Sequence, residues 1–141
     1  MTVQLHCEGG DYVPSTWWDL KDFRSHDSAD LRCPEFLDVT GRSRYLVYGP
    51  YHELSAGLWR ATAKIHLCPD AARCRFSLEF GAEPDFSSVD LPFGKVGPLE
   101  IEVEHMFREA GQGQIRLFLM RAAFHGEVRF LGATVRQVAE L

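Results

Sequence analysis

The 141-residue sequence is short of the features that mark several protein classes, and the shortages exclude more than the motifs establish. Basic charge is scarce: 15 Lys and Arg against 20 Asp and Glu leave a net charge of −5. The deficit is even along the chain, with ten acids against seven bases through Asp70 and ten against eight after it. Without a basic stripe, neither nucleic acid nor anionic membrane is an expected partner. Apolar runs are only a few residues long, so no helical membrane span is predicted. The opening MTVQLHCE lacks the cationic start and apolar core of a signal peptide. It predicts a cytoplasmic chain, unless the chain was cut from a larger secreted parent. The four cysteines, Cys7, Cys33, Cys68 and Cys74, include no Cys-x-x-Cys. They read as free thiols of a reducing compartment, with a Cys68–Cys74 bridge across a hairpin turn as the alternative.

Catalytic signatures are scarce as well. No Gly-x-Ser-x-Gly elbow marks a nucleophilic serine. The six histidines (His6, His26, His52, His66, His105, His125) form neither His-x-His nor His-Glu-x-x-His, so no metal site is called for. A phosphate cradle of the Gly-x-x-x-x-Gly-Lys kind is missing. Carboxylates are plentiful, most regularly at Glu100, Glu102 and Glu104. Three glutamates leaving one strand on one side predict a solvated face paired with Arg or Lys of the neighbouring strand, not a glycosidase acid pair. The expectation is a protein without catalysis, with an enzyme acting on small sugars as the minority alternative.

What is present is alternation. In residues 58–67, Trp59, Ala61, Ala63, Ile65 and Leu67 fall on one side and Arg60, Thr62, Lys64 and His66 on the other. Cys74, Phe76, Leu78 and Phe80 repeat the pattern, as do Leu99, Ile101, Val103 and Phe107. Residues 114–122 are apolar on both sides, which predicts a central or covered strand. In residues 127–138 the apolar phase shifts at Gly132, the mark of a bulge. Residues 3–7, 36–39, 44–48 and 86–91 are shorter strand candidates. Seven to nine strands punctuated by turns predict an all-β fold, an antiparallel β-sandwich or barrel, in one domain over 1–141. Residues 8–35 read as a long polar N-terminal loop with at most one short helix, near Ser28–Arg32.

The aromatics outside the clean strands are Tyr12, Trp17, Trp18, Tyr48 and Tyr51. A flat indole or phenol presents an apolar face to the C–H face of a sugar and leaves the rim to hydroxyls. Asp19, His52 and Glu53 stand beside these rings as hydroxyl readers. Adjacent residues of an extended segment point opposite ways, so one of Trp17 and Trp18 is expected to be buried. Trp59 shares its side with Ile65 and Leu67 and is expected in the core.

The segment Tyr48-Gly49-Pro50-Tyr51-His52-Glu53-Leu54-Ser55-Ala56-Gly57-Leu58-Trp59-Arg60 resembles a phrase of jelly-roll carbohydrate-binding modules and related bacterial sandwich domains. Residues 127–138, with Phe130-Leu131-Gly132-Ala133-Thr134-Val135, are similar to the last strand of such modules. The resemblance covers about residues 44–138 and implies a sandwich of jelly-roll type with a sugar-related role. Such modules often hold a structural Ca²⁺ on an early Glu and a late Asp. Glu8 stands at the first place, Arg136 and Gln137 stand where the Asp would be, and Asp11 and Asp38 are the other oxygen donors. No other cofactor is implied.

Together these readings predict a non-catalytic saccharide- or glycoconjugate-binding domain. Trp17 or Trp18 is the stacking platform, Tyr51 a second wall, and Asp19, His52 and Glu53 contact hydroxyls. The alternative is a protein-interaction or assembly module, in which the same aromatics and strand 114–122 form a homodimer or partner interface.

Overall fold

Where apolar and polar residues alternate, the chain is extended. The computed structural model describes residues 2–8 and 11–141, with side chains from Ser15 onward. Eleven strands run in chain order: β1 (Thr2–Glu8), β2 (Asp11–Asp19), β3 (Leu37–Asp38), β4 (Arg44–Val47), β5 (Pro50–Leu54), β6 (Gly57–Leu67), β7 (Phe76–Ala82), β8 (Asp85–Asp90), β9 (Gly97–Phe107), β10 (Gly111–Leu119) and β11 (Glu127–Glu140). Among the described residues the helical content is two single 3₁₀ turns, Leu20–Asp22 and Ala71–Arg73. No helix among them is long and apolar enough to cross a membrane.

Two antiparallel sheets form a β-sandwich of jelly-roll type. The larger runs β1-β2-β11-β6-β9, with β3 also on β11; the smaller runs β4-β10-β7-β8, with β5 sharing the β10 edge with β4. The inner faces meet in one cluster of buried side chains. Its large rings are Trp18, Phe23, Phe76, Phe80 and Phe130. Phe23 meets Phe130 edge-on at 4.7 Å, and Phe80 meets Trp18 at 6.4 Å and Phe107 at 5.6 Å. Such edge-to-face pairs each add about 0.5–1.5 kcal/mol beyond their buried area.

Several expectations change. The long polar loop at 8–35 is shorter, because β2 occupies its first half and pairs with both β1 and β11. Pro14 and the Trp17-Trp18 pair interrupt the alternation that would have marked β2. No helix forms near Ser28–Arg32, in keeping with at most one short helix there. Ser28 N–H donates to Ser25 O and Leu31 N–H to Ser28 O, while Asp30 accepts from both Ser28 Oγ and Arg32 N–H. Ser and Asp bonding to their own backbone in this way favour turns over helix. β5 is an added strand, and the total exceeds the seven to nine expected. Cys33, Cys68 and Cys74 are free thiols as expected, and only the alternative Cys68–Cys74 bridge is not formed. Cys68 Sγ instead accepts from Glu127 N–H at 3.1 Å. Cys7 lies outside the described side chains.

Other readings hold. The register between β11 and β6 shifts between Phe130 and Gly132, where Gly132 takes φ +132°. Glu104 pairs with Arg60 at 2.7 Å and Glu100 with Lys64 at 3.8 Å, so the glutamate row is matched by bases of the adjacent strand. Trp59 packs against the core at the end of β6, partly buried, and its indole donates to Ser55 O at 2.9 Å.

Candidate functional site

β2 lies between β1 and β11, and its pleat separates the two tryptophans. Trp18 is opposite Ala133, whose side chain is fully buried, and is itself 1% exposed, edge-on to Phe80 and His52. It offers no face to a ligand, which removes it as a stacking platform. Trp17, opposite Thr134, points to the outer face of the larger sheet and stays partly exposed.

The indole of Trp17 lies across the bulge glycine. A Cβ at Gly132 would come within 2.7 Å of Trp17 Cζ2 and 3.1 Å of Cε2, so the ring approaches the sheet as closely as a bare backbone permits. Trp17 Nε1–H donates to Asp19 Oδ1 at 3.0 Å, and Asp19 Oδ2 accepts from Lys21 N–H at 3.3 Å. The indole hydrogen bond, with help from Lys21, holds the Asp19 carboxyl below the usual carboxylate range. Lys64 Nζ stands 5.7 Å from the ring centroid, at the outer limit of a cation–π contact.

Strand register aligns polar groups beside the ring. One row reads Trp17, Thr134, Thr62, Glu102 across β2, β11, β6 and β9; the next reads Asp19, Gly132, Lys64, Glu100. Three interstrand steps of about 4.8 Å make each row about 14 Å long. Hydroxyl, ammonium and carboxylate groups thus share a shallow face with one anchored ring.

The remaining expected residues lie elsewhere. In β5, His52 and Leu54 turn inward while Tyr51 and Glu53 are exposed on the smaller sheet's side. The His52 ring meets Trp18 at 5.5 Å, its Nε2 is buried with no hydrogen-bond partner, and burial pushes its pKa down. Tyr51 stands edge-on to Tyr48 at 6.4 Å, and Tyr48 stacks on His26 at 4.8 Å. Tyr51, His52 and Glu53 therefore do not join Trp17 and Asp19, because two alternating strands on different sheets send them to different faces. The side chains of Glu8, Asp11 and Tyr12 lie outside those described. Asp38 accepts from Thr40 N–H at 2.9 Å, and no cluster of three His, Cys, Asp or Glu side chains that would hold a metal occurs among the described residues.

Sequence reading also missed a layer on the smaller sheet. The Arg116 guanidinium lies 3.7 Å from the Phe86 ring and 4.7 Å from Tyr45. It bonds Glu79 at 2.8 Å and Glu83 at 2.9 Å, while Phe118 packs on Tyr45 at 4.8 Å. This explains why β10 looked apolar on both sides: its second side is covered by aromatic neighbours of the same sheet.

No protein-family model matches the chain, and no curated protein matches it in sequence. Among solved structures it is similar to the CBM36-1 domain of a multidomain xylanase from the hindgut metagenome of Trinervitermes trinervoides. The identity is 11% and the TM-score 0.54, with 86% of this chain and 95% of that one covered. It is similar to the Glycosylation Associate Protein (Gap123) complex from Streptococcus agalactiae at 10% identity and TM-score 0.52. There 87% of this chain is covered but only 25% of that one, so the chain spans about a quarter of that protein. A module solved in complex with beta-1,4-galactotriose, TmCBM61, aligns over 96% of this chain and 81% of its own at 14% identity, with a TM-score of 0.43. What this chain shares is the fold, the β-sandwich of carbohydrate-binding modules.

Proposed function

We propose that the protein is a non-catalytic carbohydrate-binding domain whose platform is Trp17 on the outer face of the larger sheet. The observation that carries this reading is the indole packed against Gly132 and fixed at its nitrogen by Asp19. A ring held before the ligand arrives loses little freedom on stacking, and that is the form in which an aromatic contributes most to binding. Thr62, Thr134 and Lys64 supply hydroxyl and ammonium contacts along the same rows. Asp19 acts through the indole nitrogen that its Oδ1 holds.

A glycan array probed with the whole chain, with and without Ca²⁺, tests the reading. Selective binding to one glycan family is expected, with Trp17→Ala weakening it about tenfold or more, as the loss of a stacking aromatic contact does. A blank array from folded protein, or binding that survives Trp17→Ala unchanged, refutes it. A blank accompanied by a mass that rises with concentration in light scattering supports the assembly alternative instead.

A further inference from the structure

At one end of the sandwich three segments meet: residues 68–75 after β6, 91–96 after β8, and 120–126 between β10 and β11. They are tied by backbone bonds. Gly94 N–H donates to Ala72 O at 2.8 Å and Met120 N–H to Arg75 O at 2.9 Å, while Ala123 exchanges two bonds of 2.8 Å with Gly41, between β3 and β4. Between them opens a cavity of about 490 Å³ lined by Arg73, Arg75, Arg121, Phe93, Phe124 and, on the acidic side, Asp70. That volume lies in the range of small-ligand sites.

In a chain of net charge −5, three arginines against one aspartate around one cavity is a local reversal of sign. Four ion-paired arginines (Arg44, Arg60, Arg116 and Arg129) lie elsewhere, and among the described residues none of Arg73, Arg75 and Arg121 has a carboxylate within 4 Å. Arg75 lies 4.1 Å over the Phe93 ring, which fixes its guanidinium plane and leaves its edge donors free. Phe124 is 86% exposed, the most exposed large apolar side chain described. Guanidinium forks without anions and a bare phenyl ring at one mouth are two unmet demands of different chemistry.

We infer that this cavity is a second binding site, distinct from the Trp17 face, for a sugar residue bearing a carboxylate. The arginine forks take the carboxylate in bidentate fashion, and Phe124 meets the C–H face of the ring. The sugar part of the inference rests on the carbohydrate-binding reading above, and the anion part on the arginines alone.

Amide NMR titration of the ¹⁵N-labelled whole chain separates the two. The probes are trigalacturonate, sialyllactose, the neutral trigalactose, sodium acetate and inorganic phosphate. The expected result is saturable shifts at residues 73–75, 93–94 and 121–125 with an acidic saccharide. Affinity for trigalactose there should be about tenfold weaker or less, and the Arg73→Ala/Arg121→Ala variant should lose about tenfold or more. Both arginines are exposed, so the variant is expected to fold. Equal response to trigalactose, indifference to the double variant, or no shift with either acidic saccharide overturns the inference. Acetate or phosphate saturating the same amides as tightly as the saccharides overturns its sugar part. The Trp17 indole resonance reports the other face separately, so failure of one reading is not failure of the other.

Discussion

Replacing Gly132 by alanine tests whether the Trp17 platform is built as described. Gly132 has φ +132°, a backbone region that side-chain-bearing residues rarely adopt, and forcing one there costs on the order of 1–3 kcal/mol. The new Cβ would also press on Trp18 O, which is fixed in the β2–β11 ladder, and on the Trp17 ring at 2.7 Å. Overpacking of this kind costs about 1–3 kcal/mol. Together the variant should lose about 2–6 kcal/mol. With a urea slope of about 2 kcal/mol per molar, that moves the midpoint by about 1–3 M. Equilibrium unfolding followed by circular dichroism and by tryptophan emission measures it. The decisive arm is the double variant with Trp17→Ala. Removing the ring removes one of the two obstructions and leaves the Trp18 carbonyl, so Gly132→Ala should cost less there, with a coupling of about 0.5–3 kcal/mol. If the cost is the same in both backgrounds, the ring is not seated on Gly132. If Gly132→Ala lies within about 0.5 kcal/mol of the parent, the strain reasoning itself is wrong.

Three further outcomes follow from the same geometry. Trp18→Ala should destabilise by about 3–5 kcal/mol, as the loss of a buried ring does, whereas Trp17→Ala alone should cost about 1 kcal/mol or less; equal costs in urea unfolding would contradict the assignment of the two faces. His105 is 6% exposed, its Nδ1 lies 2.8 Å from Ser87 Oγ, and burial pushes its pKa below the ordinary imidazole value, with Asp85 only partly opposing. His52 is shifted the same way by burial. Both take up a proton less readily when folded than when unfolded, so the unfolded state binds more protons as pH falls through about 6.5, and stability should fall as pH drops from about 7 to 5. His105→Asn should flatten that slope, and an unchanged slope would show that His105 does not contribute. Arg116→Ala should cost about 1–3 kcal/mol, between the values for exposed and buried pairs, because it strands Glu79 and uncovers Tyr45 and Phe86; a urea midpoint unchanged from the parent would refute the layer.

The strands most readily read from sequence were those with one wet face. In β6 and β9 a single side faces solvent, so Arg60, Lys64 and the three glutamates record the period directly. β2 and β5 carried no such record. β2 contains Pro14 and two adjacent tryptophans, and β5 alternates two polar side chains, His52 and Glu53, with no apolar contrast between them. Which strand lies beside which was not readable either. Trp17 meets Thr134, Gly132 and Lys64 only through the β2–β11–β6 order, and that pairing leaves no local mark. The arginine cavity is distributed over three segments, so net charge counted by halves concealed it.

β11 is flanked by β2 and β6 in the middle of the larger sheet, although it is the last strand of the sequence and β2 is among the first. The chain therefore has to close a loop of nearly its full length before that ladder exists, and contacts of such separation make for slow folding, in milliseconds to seconds. During synthesis, β2 and β6 wait with open hydrogen-bonding edges until residues 127–140 have emerged. Arrival of β11 is then the event that joins two separate pieces of sheet, and a nascent chain stalled before it exposes both edges to other strands.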